Sequence, residues 1–101
     1  MKEPCFDWLQ DWYQSQCDED WEHTYGIEIR TLDNPGWLVL IDLDGTELEN
    51  VSLESFKEEI SDSDWVHCLK KGNKFQGAGD PQKLTRIIDF FKDWALSARS
   101  Q

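Results

Sequence analysis

The chain has 101 residues, with 21 acids against 10 Lys and Arg and a formal charge of −11. A field of that sign repels nucleic acid and anionic membranes and attracts basic partners. The length fits one domain over 1–101, and the longest apolar run, Trp37 to Ile41, falls far short of the roughly 20 residues a membrane-spanning helix needs.

Residues 4–16 read as a helix. Cys5, Trp8, Leu9, Trp12 and Gln16 recur at helical spacing, and Phe6 and Tyr13 widen the stripe. Pro4 suits a first turn. Cys17-Asp18-Glu19-Asp20 ends the helix in an acidic loop. The stretch Trp21 to Trp37 then reads as a loop, a strand, a tight turn and the start of a second strand. The hairpin pairs 26–32 with 37–43 around Asp33-Asn34-Pro35-Gly36. Pro35 presets φ, Gly36 can take φ > 0, and Asp33 or Asn34 can bond its own backbone. Asp44-Gly45 reverses the chain again, and Thr46–Val51 alternates as a third strand. Residues 53–60 fit either a helix or an extended stretch with Phe56 inward. Ser61–Asp64 is a loop, Trp65–Lys70 a strand, Lys71–Lys74 a turn and Phe75–Ala78 a short last strand. Asp80 is the expected N-cap of the final helix, with Pro81 at its first position. Leu84, Ile87, Ile88, Phe91, Trp94, Ala95 and Ala98 form its apolar stripe, and the tail from Arg99 to Gln101 should fray.

The class is therefore α+β. An antiparallel sheet of five to six strands is flanked by N-terminal and C-terminal amphipathic helices, each of which needs a sheet face to bury its stripe. Six Trp, five Phe and two Tyr can fill a small core, since each buried aromatic removes roughly 150–250 Å² from water. Cys5, Cys17 and Cys68 cannot all pair internally. With no signal peptide after Met1, the expectation is a cytoplasmic protein with reduced thiols.

Charge is concentrated between residues 42 and 64. Asp42, Asp44, Glu47, Glu49, Glu54, Glu58, Glu59, Asp62 and Asp64 stand against Lys57 alone. Such a run serves solubility or a basic partner. No residue set reads as catalytic, cofactor-binding or metal-binding. Asp42-Leu43-Asp44-Gly45 fails as a calcium loop, because Leu40 and Val51 would occupy the first and twelfth ligand positions. Gly77-Ala78-Gly79 fails as a phosphate turn: Gln82 replaces the third glycine and Asp80 sits where the anion would lie. His23, His67, Cys17 and Cys68 lack metal-ligand spacing, and His67 and Cys68 face opposite sides of a strand. A thiol enzyme such as a sulfurtransferase is the catalytic alternative. Its nucleophile would be Cys68, with Lys70 and Lys71 close in sequence, because the acids after Cys17 disfavour a thiolate there. Trp21, Glu22 and Trp37 have a structural reading: Trp21 packs under the hairpin, Glu22 accepts from His23 or a backbone N–H, and Trp37 anchors the second strand.

Several strings together resemble one family. They are Asp11-Trp12-Tyr13, Trp21-Glu22-His23-x-Tyr25-Gly26 and Thr31-Leu32-Asp33-Asn34-Pro35-Gly36-Trp37. Later come Trp65-x-His67-Cys68, Lys74-Phe75-x-Gly77-Ala78-Gly79-Asp80-Pro81 and Phe91-x-x-Trp94. The chain is similar, over nearly its whole length, to the bacterial immunity protein 53 family; similar chains are sometimes labelled rhodanese-related. The resemblance implies an α+β fold without catalytic residues or cofactor. It also implies a partner, the cognate toxin of a polymorphic toxin system. The expected function is neutralisation of that toxin, expected to be basic with a nuclease as one candidate, by stoichiometric binding through the 42–64 carboxylates. The runner-up readings are a small thiol- or metal-dependent enzyme and a homo-oligomeric structural module.

Overall fold

A computed structural model describes residues 4–99. Helix α1 spans Cys5–Gln16 and a one-turn helix α2 spans Trp21–Thr24. Strands β1 (Ile27–Leu32) and β2 (Gly36–Asp42) form the first hairpin. Strands β3 (Phe56–Ser61), β4 (Asp64–Lys71) and β5 (Lys74–Gly79) follow, then helix α3 (Leu84–Arg99). All strand pairs are antiparallel, in the order β1-β2-β5-β4-β3. The last strand thus enters the middle of the sheet, and β1 and β3 are its edges.

Register decides what each face carries. Ile27, Ile41 and Phe75 share one row, and Ile29, Val39, Gly77, Cys68 and Phe56 the next. Val39, Ile41, Phe75, Val66 and Cys68 are buried in one cluster with Trp8, Leu9 and Trp12 of α1 and Ile87, Ile88, Phe91 and Ala95 of α3. Both helices therefore cover the same face. Phe91 sits at the centre, with ring centroids 5.1 Å from Trp12, 5.0 Å from Phe75 and 5.9 Å from Trp8. The edge-on geometries of Trp8 and Trp12 against it are those aromatic quadrupoles favour. Gly77 leaves room for this packing, because a Cβ there would lie 2.3 Å from Cγ2 of Ile87. The opposite face carries Leu38, Leu40, Leu69, Ala78 and His67, all half-buried.

Several expectations need correction, and the alternatives left open at 53–60 are resolved. Thr46–Val51 is not a strand. Backbone N–H groups of Thr46, Glu49 and Val51 donate three residues back, to Leu43, Thr46 and Leu48. The hydroxyl of Thr46 donates to the Leu43 carbonyl and accepts from Leu48 N–H. These successive turns bury Leu48 while leaving Glu47 exposed, so they imitate a strand's alternation. Residues 56–61 resolve to the extended alternative, with Phe56 turned inward. Helix α3 opens at Leu84 rather than Pro81, and Asp80 does not cap it. Asp80 instead closes the preceding turn, where the N–H of Gln82 donates to its carboxylate and that of Lys83 to its carbonyl. Gly36 does not use positive φ; only Gly45 and Gly72 do so among the described glycines. It is required by crowding, since a Cβ at Gly36 would lie 2.4 Å from the carbonyl oxygen of Gly79. The Asn34–Pro35 peptide is cis. Arg99 belongs to α3, while Ser100 and Gln101 of the expected fraying tail lie outside the described residues.

Candidate partner-binding surface

The nine carboxylates of 42–64 divide into two groups. Five carry structural bonds. Asp42 accepts the N–H of Gly26 (3.0 Å) and lies 3.3 Å from Nζ of Lys74. Asp44 accepts from Nδ2 of Asn73. Glu47 accepts from Nε1 of Trp12 (2.9 Å), Nε2 of Gln16 and Arg99. Burial works against the Glu47 charge, yet its own backbone N–H and these side-chain donors hold its carboxyl below the usual range. Asp64 takes the ammonium of Lys83 at 2.7 Å. Glu59 accepts from Nε2 of His67 at 2.8 Å and lies 3.4 Å from Nζ of Lys57. The His67 bond is the main cause of its lowered carboxyl pKa.

Glu49, Glu54, Glu58 and Asp62 make no ion pair with another described residue. Three of them, Glu54, Glu58 and Asp62, follow edge strand β3 from just before it to the turn after it. The ladder shifts register between Glu59 and Ser61. Ile60 at this irregularity is 68% exposed, the most exposed large apolar side chain among the described residues. On the uncovered sheet face beside it, Glu59, Ile60, Asp62, Trp65 and His67 meet Asn34 around a cavity of about 540 Å³. The Trp65 and His67 rings pack edge to face at 5.3 Å.

Among the other motif residues, Trp21, Glu22 and Trp37 prove to be fastenings. Trp21 is buried against Trp12, Tyr13 and Tyr25, and its Nε1 donates to the carbonyl of Asp44 at 2.7 Å. It thus packs under the Asp44-Gly45 turn rather than under the first hairpin. Glu22 accepts the N–H groups of Asp18 and Glu19, closing the loop between α1 and α2. His23 stands exposed on α2. Trp37 anchors β2 as expected, through a bond from Nε1 to the Pro81 carbonyl at 3.0 Å.

A family model for immunity protein 53 matches residues 6–96. The chain belongs to the immunity protein 53 family. No curated protein and no solved structure matches it.

The thiols of this immunity protein 53 family member are poorly placed for nucleophilic chemistry. Cys68 is 1% exposed, and burial pushes its thiol up to about 12. It is therefore protonated at neutral pH and screened from substrate. Burial likewise raises the Cys5 thiol, and Asp89 adds to the shift. Cys17 donates from its thiol to the Tyr13 carbonyl. Among the described residues, no three His, Cys, Asp or Glu side chains are grouped to hold a metal. No described helix is long and apolar enough to cross a membrane.

Proposed function

We propose that this immunity protein neutralises its cognate toxin by one-to-one binding in the cytoplasm, with no bond made or broken. Membership of the family carries the reading, because it implies a toxin partner. The acidic margin along β3 supports a basic contact on that partner. Glu54, Glu58 and Asp62 are unspent on internal pairs, and Ile60 stands among them as an apolar anchor. A toxin surface that grips phosphates is basic, and an acidic rim can occupy it and steer fast association.

The test uses the cognate toxin domain, sought as the product of the neighbouring gene. Titration calorimetry should give a 1:1 complex, and toxicity should vanish only at equimolar protein. Glu54→Lys, Glu58→Lys and Asp62→Lys together should slow association about tenfold or more and flatten its salt dependence. Unchanged association in this variant rejects the β3 margin. Protection at far below equimolar protein rejects stoichiometric binding.

A further inference from the structure

On the core side of β3, an apolar trough of about 670 Å³ runs between residues 53–56 and α3. Leu53, Phe56, Phe90 and Trp94 form its floor. Phe56 and Phe90 stack at 5.4 Å with 22° between their planes. Trp94 is held by its Nε1, which donates to the Ser52 carbonyl at 3.1 Å. These rings are half-buried and immobilised, so a partner would order little on contact. Carboxylates stand on both banks, Glu54 on one and Asp89 and Asp93 on the other. Asp89 and Asp93 lie four residues apart and so share one side of α3. Among the described residues, Arg86 is the one cation lining the trough, and it lies over the Phe56 ring at 5.3 Å.

We infer that this trough seats a basic amphipathic segment of the partner. Arginine or lysine of that segment meets Glu54, Asp89 and Asp93, and its apolar side rests on Phe56, Phe90 and Trp94. The inference rests on the toxin-binding reading and names the chemistry of the contact. Charge selects the occupant. A neutral apolar segment would strip water from three carboxylates and return nothing. A second copy of this chain, with a formal charge of −11, would be repelled. A cationic segment satisfies the rim, and arginine stems pack well on aromatic rings.

Two measurements separate the trough from the function. In the first, the full isotope-labelled chain is titrated with a short peptide of arginine and leucine. Amide shifts should gather at residues 53–56 and 86–97, with the Trp94 indole. Glu54→Gln, Asp89→Asn and Asp93→Asn together should weaken the peptide about tenfold, as three half-exposed charge contacts would. Asp7→Asn, Asp11→Asn and Glu28→Gln, which make the same charge change elsewhere, should leave affinity within about twofold. Arg86→Gln, which removes the competing cation, should tighten binding. Shifts centred elsewhere, equal weakening by both triple variants, or weakening by Arg86→Gln overturns the inference. In the second, the neighbouring toxin domain replaces the peptide, and only the trough variant should lose affinity. A toxin that binds all variants alike rejects the trough as its contact and leaves the function standing. A toxin that the wild-type chain does not bind rejects the function, and the peptide titration still judges the trough.

Discussion

Asp80 joins three parts of the chain through one carboxylate. It accepts the N–H of Trp65 and of Gln82 at 2.8 Å each, and the ammonium of Lys83 at 2.7 Å, while 1% exposed. Lys83 reaches Asp64 at the same distance. The Lys83 bond, followed by the backbone donors, holds the Asp80 carboxyl at about 2. The folded value is below the ordinary one, so the charge stabilises the fold fully above about pH 4 and less as pH falls toward 2. Asp80→Asn should therefore cost about 2 kcal/mol at pH 7. In urea denaturation its deficit against the wild type should shrink as pH drops from 4 to 2. A deficit that is constant with pH would show that shape, not charge, holds the site. At this scale the sequence was informative about residue type and silent about partners. Asp80 reads in the sequence as a helix N-cap, but its bonds come from β4 and the turn, which no local pattern encodes. Gly36 announces a special backbone need, yet the need is space beside Gly79 and not a left-handed φ.

Elements with a strong period were legible. The stripes of α1 and α3 and the β1–β2 hairpin follow from spacing alone, because each must bury one side. The connection between β2 and β3 was not. There the ammonium of Lys70 on β4 donates to the carbonyls of Glu49 (2.7 Å), Val51 (2.9 Å) and Leu48 (3.4 Å). With these carbonyls gathered on one cation and the N–H groups of Thr46, Glu49 and Val51 donating three residues back, the alternation at 46–51 yields turns. Lys70→Met keeps the stem and removes the donor. It should cost about 2 kcal/mol and speed amide exchange across residues 48–52, while the β1–β2 hairpin stays protected. Unaltered exchange at 48–52 would mean the turns hold without the lysine.

For the whole molecule, 21 acids on a small surface imply self-repulsion as well as attraction to cations. Raising salt from about 10 to 150 mM shortens the Debye length from roughly 30 to 8 Å. The melting temperature should rise by a few degrees over that range, because repulsion in the compact state is screened before the short internal pairs are. A falling melting temperature would mean that favourable pairs dominate the fold's electrostatics. Charge clustering along the chain also proved an incomplete map of the surface. Asp42, Asp44, Glu47 and Asp64 are drawn into internal bonds, while Asp89 and Asp93, distant in sequence, face Glu54 across the trough.

The sequence by itself determined the class, the two amphipathic helices, the first hairpin and the family, because each is written in short-range periodicity or in unbroken strings of residues. Tertiary structure alone decided that β5 lies between β2 and β4 and that both helices cover one face. It also decided which acids stay outside internal ion pairs. Those outcomes depend on pairings between residues dozens of positions apart, where closing a long loop is offset by burial of Phe75, Phe91 and their neighbours, and no local pattern carries that balance.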